Sequence, residues 1–194
     1  MRSVLVLIGT IVVLLGMWLV FTYNSLVSSQ EAVNSAWAQV QNVYQRRADL
    51  VPNLVETVKG AANFEKSTLT AVVDARSRVG SFTVDKSILN DPEQFKRFQK
   101  AQGELGQALS RLMAVVENYP QIKATENFRS LQDQLEGTEN RIAVARRDFN
   151  DAAQSYNTAI RRMPASIVAG YGHFQPRPYF EAEATAQKAP QVKF

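Results

Sequence analysis

The amino-acid sequence predicts an all-α protein in which an N-terminal transmembrane helix continues into an antiparallel bundle of long helices, followed by an extended C-terminal tail. Three observations carry that prediction. Val4 to Phe21 is an apolar run of eighteen residues without a charge. Phe21 to Val51 contains neither Gly nor Pro, so nothing stops the helix where the lipid stops. Beyond the apolar run, hydrophobic residues recur in alternating steps of three and four, the spacing of one helical face.

At a rise of about 1.5 Å per residue, the apolar run spans roughly 27 Å, close to the hydrocarbon thickness of a bilayer. A cleavable leader would carry a shorter apolar core of about 7–15 residues. Trp18 and Tyr23 stand where interfacial aromatics hold a span in place. Residues 1–23 are therefore expected to be an uncleaved anchor. Gly9 and Gly16, seven apart, share one face of it and would let neighbouring anchors touch. Arg2 precedes the span, whereas Thr22 to Gln45 holds Glu31 and no Lys or Arg. The positive-inside rule then puts the N-terminus in the cytosol and the bundle on the outer, periplasmic face of the inner membrane.

Residues 24–164 read as the bundle. In the first helix Val33, Trp37, Val40, Tyr44, Val51, Leu54, Val58 and Ala61 form a seam whose one polar member is Arg47. The seam keeps its phase across Pro52, which predicts a bend rather than an end. Lys59 and Gly60 close the helix, and Asn63 is placed to cap a shorter one from Phe64 to Val79. Gly80 to Leu89 has no helical period and reads as a loop. Asp91, Pro92 and Gln94 then make a strong start signal. The helix that follows shows Phe95, Phe98, Leu105, Leu109, Leu112, Val116 and Tyr119, with Gln102 as the polar entry, and Pro120 is expected to end it. Gly103 and Gly106 on this helix suggest a tight helix crossing. The last helix keeps its alternation for five heptads: Phe128, Leu131, Leu135, Thr138, Ile142, Ala145, Phe149, Ala152, Tyr156, Ala159 and Met163. Such regularity calls for shallow packing angles, as in antiparallel bundles and coiled coils. Residues 165–194 read as an extended tail, with Phe174, Tyr179 and Phe180 laid partly on the bundle.

The composition excludes several chemistries. With no cysteine there is no disulfide, thiolate metal site or cysteine nucleophile. The 22 Lys and Arg are interleaved with 18 Asp and Glu along helical faces, a solvated surface and not a nucleic-acid stripe. The single histidine, His173, has no carboxylate within six residues, and no phosphate loop, GxSxG elbow or HExxH motif is present. Glu136 and Glu139 read as exposed helix charge. No metal, cofactor or catalytic residue is assigned. Arg46, Arg47 and Asp49 admit two readings, an ion pair where helices meet or a binding contact.

Long ordered stretches also carry a resemblance: DLVPNLVETV from Asp49 to Val58, ENYP from Glu117 to Pro120, and PYFEAE from Pro178 to Glu183. Over nearly its whole length the chain resembles the bacterial LemA family. The resemblance implies a single-pass membrane protein with a small bundle of long helices, and it supplies no catalytic residue to transfer. Relatives associated with magnetosome membrane formation, and others encoded near membrane stress proteases, frame two expectations. The first is a scaffold that self-associates as a homo-oligomer on membrane lipid and organises or shapes the bilayer. The second is an adaptor for an envelope protease or other envelope enzyme, docking through Arg46, Arg47, Asp49, Pro52 and Asn53 or through Tyr179 and Phe180 of the tail.

Overall fold

The computed structural model describes residues 1–60, 65–82 and 85–181. Its elements are α1 (Arg2–Lys59), α2 (Lys66–Gly80), a 3-10 helix (Lys86–Asn90), α3 (Pro92–Val116), α4 (Pro120–Lys123), α5 (Glu126–Arg161) and α6 (Ala165–Tyr171). Among the described residues there is no strand, and the all-α class holds.

Helix α1 is one uninterrupted run of 58 residues, about 87 Å long at the standard rise. Its two parts have opposite surroundings. None of its most apolar window is buried by protein, and that stretch is long and apolar enough to cross a membrane. From Leu26 onward one stripe is buried: Leu26, Val33, Trp37, Val40, Tyr44, Arg47, Leu50, Val51, Leu54 and Val58. The seam read from the sequence is this stripe; Ala61 and Asn63 lie outside the described residues.

Pro52 sits inside α1 and has no amide hydrogen, so the Ala48 carbonyl one turn earlier loses its helical donor. Arg76 of α2 supplies the replacement, its Nε donating to the Ala48 carbonyl oxygen at 3.0 Å. The defect made by the proline thereby becomes a contact between two helices.

Four of the helices, α1, α2, α3 and α5, run up, down, up and down. Helix α1 packs along α5, and α2 along α3. The antiparallel sense of α1 and α5 follows from their partners: Trp37 meets Phe149, Tyr44 meets Arg146, and Arg47 meets Glu139. The core is in two parts. One gathers around Trp37, Phe98 and Phe149, the other around Leu54, Leu105 and Leu112.

Several boundaries differ from those expected. Helix α2 begins at Lys66, with Glu65 at its N-cap making no side-chain cap bond. The segment expected as loop contains the 3-10 helix, started by Asp85, whose carboxylate accepts from the Ser87 amide at 2.8 Å and from the Ser87 hydroxyl. Its Ile88 and Leu89 enter the core. Five residues are too few to show a period in sequence. Asp91 caps α3 by accepting from the Glu93 and Gln94 amides, both at 3.0 Å. The Gln94 amide, first among several hydrogen bonds, holds this carboxyl below its ordinary range. A depressed value means the cap stabilises above the normal carboxylate range, and its contribution is lost as pH falls through the lowered value. Helix α3 ends at Val116, before Pro120, and Pro120 opens the short helix α4. The tail begins with a helical segment, α6, where only extended chain was expected.

In α5 the buried face drifts by one residue after Phe149. Ala153, Tyr156, Asn157 and Ile160 are buried, whereas Ala152 and Ala159 are only partly covered and Met163 is 69% exposed. A straight helix turns by 3.6 residues and departs from a strict seven-residue seam by about 20° per heptad. The drift faces Asn157 toward the tail.

Replacing Pro52 with Ala returns the missing donor and is expected to raise the unfolding free energy by about 1–3 kcal/mol. Arg76→Ala should cost roughly 0.5–1.5 kcal/mol in the parent chain and close to nothing beside Pro52→Ala. Denaturant unfolding of the four proteins measures the cycle, and an equal cost of Arg76→Ala in both backgrounds would show that the arginine does not serve the proline.

Candidate functional site

Three seam positions break the apolar pattern, Arg47 on α1, Gln102 on α3 and Thr138 on α5, and all three are buried. All three fall between the two halves of the core, and Arg47 and Gln102 meet there. Arg47 Nη1 donates to Glu139 Oε1 at 2.8 Å, and Nη2 donates to the Gln102 carbonyl oxygen at 2.9 Å and to its side-chain oxygen. Arg47 Nε is buried without a partner. Thr138 turns its hydroxyl onto the Gln134 carbonyl of its own helix, at 2.7 Å. The Arg47 guanidinium also lies 5.1 Å from the Tyr44 ring centre, a cation–π contact strengthened by exclusion of water. Tyr44 in turn accepts from Arg146 Nε at 2.6 Å. Burial pushes the Tyr44 hydroxyl above its ordinary pKa, against the opposing pull of Arg146 and Arg47.

Of the two readings of Arg46, Arg47 and Asp49, an ion pair where helices meet is found at Arg47. Arg47 reaches Glu139, which sequence reading had placed among the solvated charges, and Glu139 is half-exposed. Asp49 accepts instead from Gln45 Nε2 at 2.8 Å on the outside of α1. The crossing expected at Gly103 and Gly106 has a different cause at Gly106. The nearest foreign atom to a side chain there would be Arg47 Nη1 at 3.6 Å, not the backbone of another helix. Gly103 and Gly106 also line a cleft of about 710 Å³ between α3 and α5, together with Arg47, Gln102 and Glu139.

Further toward the membrane end, the gap between α3 and α5 is filled by the tail. Phe180 is buried in an aromatic cluster, with ring centres 4.9 Å from Phe95, 5.5 Å from Phe149 and 6.2 Å from Trp37. Three amide side chains hold the tail by its backbone, each bonding both the N–H and the C=O of one residue. Asn157 takes Arg177 at 2.8 and 2.9 Å, Asn150 takes Phe180 at 2.9 and 3.0 Å, and Gln99 takes Glu181 at 3.4 and 2.7 Å. Tyr156 adds a bond from its hydroxyl to the Gln175 carbonyl at 3.0 Å, and burial raises its pKa. The Arg177 guanidinium donates to the Asn90 side-chain oxygen. Sequence reading missed these clamps. The available signal was Asn150 and Asn157, seven apart and each next to a seam aromatic.

The other residues singled out from sequence are dispersed. Arg46, Asp49 and Asn53 line a shallow hollow of about 540 Å³ with Arg141, on the face of α1 and α5 opposite Arg47. Pro52 is exposed. Tyr179 is exposed, its hydroxyl accepting from Asn157 at 2.9 Å. Gly9 and Gly16 are open, with no atom within 4 Å of a side chain placed there. His173 is exposed in the left-handed backbone region, φ 54°. Among the described residues, no three His, Asp or Glu side chains gather to hold a metal.

Fold and site together define a class: an all-helical bundle on a helix with an apolar, protein-free end, whose buried polar groups fasten helices and tail. The chain belongs to the LemA family, whose model matches residues 36–194. It is 31% identical over 179 residues to Magnetosome protein MamQ 2 of Paramagnetospirillum magneticum, covering 84% of this chain and 66% of the relative. To Magnetosome protein MamQ of Magnetospirillum gryphiswaldense it is 30% identical over 194 residues, 92% of this chain and 70% of the relative. Protein LemA of Metamycoplasma hominis is 25% identical over 146 residues, 75% and 63%. The chain spans just under two thirds of the length of the Paramagnetospirillum relative.

Removal of the Phe180 ring is expected to cost about 3–5 kcal/mol, the usual penalty for emptying an aromatic site, and to free the tail. Phe180→Ala should lower the denaturation midpoint and speed amide exchange across residues 174–181. Unchanged exchange there would mean that the amide clamps hold the tail without its anchor.

Proposed function

We propose that the protein is a non-enzymatic membrane scaffold whose copies associate through anchor and bundle and so organise or shape the bilayer. The observation that carries this reading is the continuity of α1. One helix joins the apolar end to the centre of the bundle, with no glycine or proline between Phe21 and Val51. A bundle so mounted takes its tilt from its anchor, and neighbouring copies share a defined mutual orientation. Gly9 and Gly16, open on the anchor, offer a face on which two anchors can approach closely. The magnetosome relatives support a role tied to a membrane-bounded body.

The alternative is an adaptor for a membrane protease or another envelope enzyme. The hollow lined by Arg46, Asp49, Asn53 and Arg141 favours it, being open and offering charged side chains beside apolar surface. Phe180 does not, because it is buried in the chain's own core. We place the bundle on the outer face of the inner membrane, on the strength of Arg2 before the span and the lack of Lys and Arg in the stretch after it.

Asn24→Pro interrupts α1 between anchor and bundle, at a cost of about 3 kcal/mol to the local helix, whereas Asn24→Ala does not. Light scattering in mild detergent is expected to show a multimer for the parent chain and the alanine variant, and a smaller or polydisperse particle for the proline variant. A monomeric parent at all concentrations would remove self-association, and equal assembly by both variants would move the adaptor ahead.

Orientation is open to direct labelling, since the chain has no cysteine of its own. Ser130 is exposed on α5, and in intact cells Ser130→Cys should react with an impermeant maleimide. Reaction only after the membrane is broken would place the bundle in the cytosol.

A further inference from the structure

The end of the bundle nearest the anchor is built differently from the rest of its surface. Beyond the span and Tyr23, the exposed large apolar side chains among the described residues are Val73, Val144, Met163, Ile167, Tyr171 and Tyr179. Three of these fall within nine residues at steps of four: Met163 is 69% exposed, Ile167 50% and Tyr171 86%. Helix α6, ASIVAGY, has no charged residue at all. Val168 and Ala169 face the core, which leaves Ile167, Gly170 and Tyr171 on the outside. A short surface helix with an uncharged, aromatic outer face is poorly suited to water.

Its position says what covers it. Helix α6 packs on α1 as well as on α5. Trp18, inside the apolar run of α1, packs against the same core cluster that holds Val168 and Ala169. Phe174, three residues past α6, meets Tyr23 edge to face at 5.6 Å. Gly172 keeps that ring in place, because a side chain there would fall 2.6 Å from Phe174 Cε2. Core that reaches Trp18 lies at the depth of Trp18, and Trp18 is at the end of the segment read as crossing the membrane. Helix α6 is thereby held at the level where hydrocarbon gives way to headgroups. Arg161 and Arg162, both exposed, flank its start.

We propose that α6 is a second membrane contact. Met163, Ile167 and Tyr171 enter the boundary between headgroups and acyl chains of the leaflet facing the bundle, while Arg161 and Arg162 meet anionic headgroup phosphates. The occupant is the lipid surface, identified by its continuity with the span. Amphipathic and aromatic groups favour this depth, and each Lys or Arg near an anionic surface contributes about 1 kcal/mol. The tilt and rotation of a helix crossing a bilayer are set by the neighbours and interfacial groups it meets, and a second contact beside it adds such a constraint. The proposal rests on the reading of Val4 to Phe21 as a span and is independent of self-association.

The test uses the full chain, one copy per nanodisc, with single cysteines carrying a nitroxide spin label. Sites are Ile167→Cys and Tyr171→Cys on α6, Leu14→Cys within the span, and Val144→Cys on the exposed flank of α5. Collision with oxygen, which concentrates in lipid, is compared with collision with a water-soluble nickel chelate. Labels at 167 and 171 are expected to favour oxygen, as at 14, and the label at 144 to favour nickel. The shift toward oxygen should be larger in discs containing phosphatidylglycerol than in phosphatidylcholine alone. Nickel-accessible labels at 167 and 171 with an oxygen-accessible label at 14 would overturn the α6 contact alone. A nickel-accessible label at 14 would overturn the span and the contact with it. Labels at 167 and 171 shielded from both reagents only when two copies share a disc would assign the face to a second copy, and equal behaviour in the two lipids would remove the arginines from the contact.

Discussion

The placement of one guanidinium constrains the rest of the bundle. Arg47 lies among apolar residues on the buried stripe of α1, and a buried charge is tolerated only where acceptors meet it. Those acceptors come from two other helices, Gln102 on α3 and Glu139 on α5. Sliding α1 by one heptad would move the guanidinium to the level of Leu54, among leucine and valine side chains that accept nothing. In the aliphatic half of the core the seams discriminate weakly against such a slip, because one stretch of leucine and valine resembles the next. A buried polar position of this kind contributes little net stability and a large penalty for the wrong register. The aromatic cluster, the leucine cluster and the cleft beside Glu139 all take their heights from this contact.

The tail completes what the four long helices leave open. Helices α1 and α5 pack closely, as do α2 and α3, but α3 and α5 leave a gap. Near the membrane end Phe180 fills it, joining Trp37, Phe95 and Phe149 in one cluster. Each amide clamp uses a donor and an acceptor of one side chain on the two backbone groups of one residue, so an extended segment is held without a neighbouring strand. Below Glu181 the gap persists as the cleft over Arg47. The bundle therefore has a tail-sealed half and an open half, with the buried arginine near their boundary.

Continuity along α1 joins this architecture to the apolar end of the helix. A flexible tether would make the internal precision of the bundle irrelevant to the lipid. A helix of 58 residues instead carries the orientation of the anchor into the core. The defect at Pro52 comes late, beyond Arg47, where α2 repairs it through Arg76. The stiff section thus runs from the apolar end of α1 through the aromatic cluster and past Arg47 before any backbone bond is lost.

The division between what sequence and structure decide is visible in individual residues. Periodicity determined the all-α class, the run of α1 through Pro52 and most buried positions of α1, α3 and α5, and the start signal of Asp91, Pro92 and Gln94 determined the cap of α3, because these depend on residues within about four positions along the chain. Periodicity also marked Arg47 and Gln102 as polar entries in two seams. That Arg47 and Gln102 meet, that Arg47 pairs with Glu139 and not with a neighbour, and that Ala153 and Ile160 replace Ala152 and Ala159 at the end of α5 were decided only by tertiary structure. So were the 3-10 helix, too short for a period, and the seat of Phe180. Each depends on partners tens of residues away, 92 in the case of Arg47 and Glu139, and a helical period fixes which face a side chain occupies but not which helix arrives opposite it.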